Sequence, residues 1–223
     1  HAGGYLPGYF KSKMAGSSLK APHMWVEGPV LHYLLTGDES FKESLMKIAD
    51  WVVNGVDLTY YDFGNCRICG WHITHLCSLA RLTDDPRYLN AAAIIVERVL
   101  ERQAPGGGWE HLLGQPHCNC YPPRHTGEAG FMVGILLSAL RKYFELTGDQ
   151  RIKDAIVGGA RWLIENTLVE ATGNFRYTNC PGLVPDGAPQ YVMYILEGLA
   201  YALRFDEDRV IRRIVGETRD KMA

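Results

Sequence analysis

The sequence predicts an all-α protein, an α/α toroid or part of one built from helical hairpins, and three observations predict it. The phrase Leu-Thr-Gly-Asp occurs at Leu35 to Asp38 and again at Leu146 to Asp149, with a near copy, Leu-Thr-Asp-Asp, at Leu82 to Asp85. Each copy follows a stretch that is apolar on nearly every side and precedes one with a single apolar stripe. Longer segments rich in aromatics, Gly, Pro and Cys separate one such pair from the next. Internal repeats of this kind set architecture before any single residue does.

Four pairs follow in order: 23 to 54, 70 to 103, 127 to 168 and 188 to 222. Their first helices carry the apolar runs Val30 to Leu35, Ile73 to Leu82, Phe131 to Leu146 and Val192 to Leu203. A helix without a polar face is expected to be surrounded by protein. The second helices carry stripes at three and four: Phe41, Leu45, Ile48 and Val52; then Tyr88, Ala92, Ile95 and Val99; then Ile152, Ile156 and Leu163. Those helices should keep one wet face. Gly37 and Gly148 suit the left-handed end of a helix, and Asp38 and Asp149 suit the cap of the next. A weaker fourth turn is Arg204-Phe205-Asp206-Glu207. A full toroid closes with about six or seven hairpins stacked on their neighbours. Four therefore leave the ring open or completed by other sequence. Residues 1–223 read as a single domain, possible fragment of a longer polypeptide.

Composition excludes several classes. With 47% hydrophobic and 22% charged residues the chain is an ordinary globular one, neither disordered nor collagen-like. A formal charge of -2, with no basic run longer than Arg212-Arg213, offers nucleic acid or an acidic membrane no electrostatic footprint. The apolar run Phe131 to Leu140 is about half the roughly 20 residues of a spanning helix. The chain opens at His1 without a basic and then apolar leader, so no signal peptide is visible and the start reads as the inside of a longer or processed polypeptide.

Short turns at one end of the stack and long loops at the other make the two ends chemically different, and the loop end is where a site is expected. The starts of the first helices and the loops just before them gather His23, Trp25 and Glu27; Trp71, His72 and His75; His125 and Glu128; and Asp186, Gln190, Tyr191 and Tyr194. Counting back from the turn leucine puts His23 twelve and His72 ten residues away, at similar depth for a rise of about 1.5 Å per residue. Glu128 lies eighteen back, which fits a longer third helix. Aromatic rings beside imidazoles and carboxylates suit a sugar, since rings stack on its apolar faces and paired acids move its protons. Core packing is the competing reading for each residue alone, and Trp51 and Trp162, on second helices, are assigned to it.

Cys66-x-x-Cys69 and Cys118-x-Cys120 stand in the two loops flanking the second hairpin, with His72 and His117 close in sequence, so that four thiolates, or three with a His, could meet. They offer a structural zinc site, disulfides or unpaired thiols, while Cys77 reads as a small buried hydrophobe. Gly106-Gly107-Gly108-Trp109 lacks the Lys-Ser of a phosphate loop and reads as a mobile approach to a loop. Glu197, inside an apolar helix, is a paired core carboxylate or a site residue whose pKa is raised by burial. A prenyl-transfer toroid is disfavoured because Asp84-Asp85 is a turn rather than an Asp-rich metal motif on a helix.

With the hairpins in place, the chain resembles the α/α-toroid domains of carbohydrate-active enzymes. The resemblance rests on His23-Met24-Trp25-Val26-Glu27-Gly28 leading to Tyr33 through Asp38, Gly70-Trp71, Gly107-Gly108-Trp109, and Phe131 through Leu136 leading to Leu146 through Asp149. It is closest to exo-rhamnogalacturonan-lyase-like proteins and looser to unsaturated-glucuronyl hydrolases. The resemblance implies a polysaccharide lyase or glycoside hydrolase acting on a poly- or oligosaccharide, often one with uronic acid, and then an extracellular or periplasmic setting. As a lyase, His72, His125 or Tyr191 would be the base, with Arg124 or His23 at the uronate. As a hydrolase, Glu27, Glu128 or Asp186 would supply acid and base. The remaining rim residues, Trp25, Trp71, His75 and Gln190, would contact sugar. Cys66, Cys69, Cys118 and Cys120 depart from the lyase pattern, and the adjacent Cys-Cys pair of zinc-and-cysteine arabinofuranosidases is absent. A non-catalytic glycan- or protein-binding module of a larger protein is the alternative.

Overall fold

The computed structural model of the chain describes residues 25–56, 63–114, 117–121, 124–183 and 187–222. They form eight helices and two short hairpins of strand. Two compact units divide the chain, His1–Val99 and Leu100–Ala223. No described helix is long and apolar enough to cross a membrane.

In the first unit α1 (Glu27–Thr36), α2 (Glu39–Gly55), α3 (Cys66–Thr83) and most of α4 (Pro86–Arg102) form two hairpins. In the second, α5 (Gly130–Thr147) with α6 (Arg151–Thr167), and α7 (Pro189–Ala202) with α8 (Arg209–Met222), form two more. These bounds lie within a few residues of those read from the repeat.

The turn phrase works through its last three residues. Thr36, Thr83 and Thr147 each donate their hydroxyl to the carbonyl four residues back, on His32, Leu79 and Tyr143, at 2.8, 2.8 and 2.9 Å. The same oxygens accept the N–H of Asp38, Asp85 and Asp149 at 3.2, 3.3 and 3.3 Å. Between them Gly37, Asp84 and Gly148 take φ of 70, 54 and 69°, which ends the helix and turns the chain. Each aspartate then caps the next helix, accepting from Ser40, Arg87 or Arg151 N–H at 3.0, 2.9 and 3.1 Å. Arg87 and Arg151 close back on their aspartates at 2.7 and 2.8 Å, which holds both carboxyls below the usual range. We expect Asp149→Ala to cost about 1 kcal/mol, the worth of an N-cap, read as a lowered denaturant midpoint with unchanged slope. The fourth turn departs from the expected one. Its cap is Asp208, accepting from Val210 and Ile211 N–H, while Asp206 pairs with Arg161 at 2.5 Å.

Burial corrects the expectation for two of the apolar helices. α3 and α5 are enclosed as expected, with Ile73, Leu76, Leu79, Leu136, Leu137 and Leu140 fully buried. α1 buries no residue, and its Leu31, Leu34 and Leu35 are 56, 62 and 76% exposed. On α7 Met193 is 79% exposed. Lack of a polar face therefore does not enclose either helix among the described residues. Glu197 is paired but not buried: it takes Arg141 at 2.7 Å on the exposed side of α7.

Small residues let the second unit close up. A side chain on Gly134 would overlap the backbone of Tyr194, and one on Gly198 would press on Leu137, so α5 and α7 approach nearly backbone to backbone. The glycine-rich phrase is not the mobile approach expected of it. Gly107, Gly108 and Trp109 are buried against Gly158, Gly159 and Trp162 of α6, with Gly107 at φ 87°. Gln103 pins the same corner by donating to Gly107 and Ala155 carbonyls at 2.8 and 2.9 Å.

Candidate functional site

The segment after α6 positions the loop end of the second unit. Leu168–Val169 (β3) and Asn174–Phe175 (β4) form a tight hairpin. The chain then runs across the starts of both α5 and α7. Thr178 bridges Ala129, Phe175 bridges Ala188, and Gly130 and Ala188 donate to Tyr177 and Phe175 carbonyls at 3.0 Å each. One strap thus ties two helix starts together.

His111–Leu112 (β1) pairs antiparallel with Thr126–Gly127 (β2), and the register sets His111 opposite Gly127. That places the His111 ring beside Glu128. The Nδ1 of His111 and Oε2 of Glu128 face each other at 3.5 Å as an ion pair, and neither atom makes a hydrogen bond. Glu128 is 1% exposed, and its other oxygen accepts Ala129 N–H at 2.7 Å. The His111 side chain is 41% exposed, so the imidazole meets solvent while the carboxylate stands behind it. The Glu128 carboxylate beside it raises the His111 pKa above the ordinary imidazole value, against the opposing effect of partial burial. Asn179 holds the pair in place: its Oδ1 accepts Glu128 N–H at 3.1 Å and its amide donates to Glu110 at 3.3 Å. Trp162 donates to the same Glu110 oxygen at 3.2 Å.

An aromatic bank stands on the same strap and helix starts. Tyr177 stacks on His117 and on Phe131, each with centroids 5.4 Å apart, and Phe131 stacks on Tyr191 at 6.0 Å. All four rings are half-buried, leaving part of each open. Beside them Cys118, Cys120 and Cys180 bring their sulfurs within 4.8 Å of one another. Arg124 donates to Cys118 carbonyl at 3.2 Å, and His125 N–H points at Cys118 Sγ at 3.5 Å. That N–H helps lower the Cys118 thiol to about 7, while sharing protons with its two neighbours raises Cys120 to about 11.

Of the residues expected at a site, the second unit brings Arg124, His125, Glu128, Tyr191, Cys118 and Cys120 to this strap, with Gln190 exposed on the first turn of α7. His111, Tyr177, Asn179 and Cys180 join them and were not anticipated, and so does His117, which the sequence places only beside the cysteine motifs. Strand register and the long strap recruit them, and neither follows from helical spacing. In the first unit Trp25 and Glu27 are exposed at the start of α1, and Trp71 is half-buried on α3. His72 and His75 are wholly buried instead: His75 meets the Leu45 carbonyl at 3.0 Å and His72 stands edge-on to Trp51 at 6.3 Å. Cys66 and Cys69 are not in a loop. Asn65 accepts Ile68 N–H at 3.1 Å and starts α3 there, so both sit in its buried first turn. His23 and Asp186 lie outside the described residues. A shallow hollow lined by Arg161, Ile164, Glu165, Asp208 and Val210 holds no ring or imidazole.

No protein-family model matches the chain, and no curated protein matches its sequence. Solved structures do match its fold. An unsaturated glucuronyl hydrolase from Streptococcus agalactiae superposes with a TM-score of 0.66 at 15% identity, over 86% of this chain and 50% of that one. Another from Bacillus sp. GL1, responsible for the degradation of glycosaminoglycan, gives 0.63 at 15% identity, over 86% and 54%. A polysaccharide lyase gives 0.55 at 12% identity, over 95% and 61%. The all-α hairpin fold read from the turn phrases is therefore one shared with carbohydrate-active enzymes. The chain spans about half the length of the two glucuronyl hydrolases.

Proposed function

We propose that the chain is part of a carbohydrate-active enzyme, a polysaccharide lyase or glycoside hydrolase that acts on a poly- or oligosaccharide, with uronic-acid-containing glycans the first to test. One observation carries the reading: a half-exposed imidazole backed by a buried carboxylate, His111 and Glu128, shares its strap with the ring bank of Phe131, Tyr177 and Tyr191. The fold likeness supports it. Rings of this kind stack on the apolar faces of sugars. His111, with its proton affinity raised by Glu128, donates a proton to a leaving oxygen or a hydrogen bond to a uronate carboxylate. Glu128 does not reach solvent and acts as the positioning residue behind it.

The full-length protein incubated with neutral and uronate polysaccharides, followed by unsaturated-product absorbance and reducing ends together, separates lyase from hydrolase. His111→Ala should lower turnover by about 10²-fold or more, the usual worth of a general acid or base. Glu128→Gln keeps the shape but removes the charge, so the His111 pKa falls and the limb of the pH–rate profile that it sets moves to lower pH. Full turnover in His111→Ala would sink the assignment. A non-catalytic glycan-binding module is favoured by one fact, the half-length match. Binding without either product signal would establish it.

A further inference from the structure

We propose that Cys118, Cys120 and Cys180 form a binding site for one soft metal ion, zinc in the first instance, held by three thiolates with the fourth coordination position left to a water or an outside ligand. Cys120 and Cys180 sulfurs are 3.4 Å apart, and Cys180 and Cys118 sulfurs 3.5 Å. Those separations are far beyond the about 2 Å of a disulfide. They are close to the roughly 3.8 Å between sulfurs that each stand about 2.3 Å from one tetrahedral zinc. A disulfide would use two of the three and strand the last.

The surroundings are those of a thiolate site. Cys120 and His125 N–H groups both point at Cys118 Sγ, at 3.4 and 3.5 Å, and such donors steady a charged sulfur. Leu113 and Leu183 pack around the trio, which keeps water from most of it. Gly182 supplies room: a methyl there would lie 3.3 Å from Cys120 Sγ and 3.9 Å from Cys180 Sγ. With only sulfur donors, the set favours zinc over the hard ions that need oxygen. The ion would staple the Cys118–Cys120 loop to the strap that joins the starts of α5 and α7. The site stands independently of the sugar reading, since neither its geometry nor its test involves a glycan.

The full-length protein, reduced, incubated with zinc and desalted, should retain one equivalent by elemental analysis. Exchange with cobalt should give the thiolate-to-metal charge-transfer band in the near ultraviolet. Cys118→Ser with Cys180→Ser should reduce both to background, whereas Cys66→Ser with Cys69→Ser should leave both unchanged. If the first pair fails to fold, the wild-type protein decides: stripping with a chelator should lower its thermal midpoint, and zinc should restore it. The six cysteines of this chain should titrate as thiols in denaturant with chelator and no reductant. No bound zinc and no cobalt band in wild type, retention by the Cys118/Cys180 variant, or a disulfide within the trio would each overturn the proposal.

Discussion

Lowering the pH from 7 to 4.5 should remove on the order of 5 kcal/mol from the stability of the first unit, because two buried histidines cannot take up the protons that the unfolded chain binds. Burial pushes His72 down to about 3, helped by the like charge of His75, and burial pushes His75 to about 4 against the opposing bond to Leu45. Both folded values lie below the ordinary imidazole value of 6.5. Stability is therefore complete above that value and drains as pH falls from it toward 4, where the folded protein begins to protonate as well. The capping aspartates Asp38 and Asp85 are held below their ordinary 3.8, so their loss belongs to a lower window and does not mimic the effect. Denaturant midpoints followed through indole fluorescence at the two pH values measure it. His72→Leu should shrink the difference by about half. Equal midpoints for the wild-type chain would refute the assignment.

That expectation also explains why two residues read as rim groups belong to the core. Both lie on α3, whose Asn65 cap starts the helix at Cys66 rather than near Gly70. The earlier start places His72 and His75 in the second and third turns, inside the packing of α2 on α3. A neutral imidazole with one carbonyl partner is a tolerable core residue, and no residue-type argument separates it from a catalytic one. Burial does.

The turns were the most legible part of the sequence because each phrase is a closed local unit. Thr, Gly or Asp, and Asp satisfy one another and the adjacent helix ends with no help from the rest of the chain, so the hairpin bounds follow from a few consecutive letters. Enclosure was less legible. Val30 to Leu35 is as apolar as Ile73 to Leu82, yet α1 leaves its leucines open while α3 is enclosed, since burial depends on what packs alongside. The candidate site was legible at Glu128 and Tyr191, which lie by helix starts, and in the Cys118-x-Cys120 motif. His111 is recruited by a two-residue strand pairing, and Asn179, Tyr177 and Cys180 by the strap, whose path is set by backbone bonds to Glu128, Gly130 and Ala188. Nothing in the spacing of those residues announces them. Cys180 was therefore absent from the sulfur set expected from sequence, which named Cys66 and Cys69 with Cys118 and Cys120.

The glycine-rich corner gives the sharpest stability test in the second unit. Gly107 holds φ at 87°, a conformation that costs a residue with a side chain about 1–2 kcal/mol. A methyl there would also overlap the backbone carbonyl of Gly158, which belongs to α6 and cannot swing aside as a flexible side chain would. Overpacking of that kind adds about 1–3 kcal/mol. Gly107→Ala should therefore cost about 3 kcal/mol or more, with Gln103 losing its bond to the Gly107 carbonyl as the corner lifts away. Gly106→Ala is the control, because nothing lies near where its methyl would go. That variant should stay within about 0.5 kcal/mol of the parent, as surface substitutions do. Denaturant unfolding of the two variants side by side reads the difference. Similar midpoints for both would mean that the loop does not seat on α6, and the packing of Trp109 against Gly159 would have to be abandoned with it.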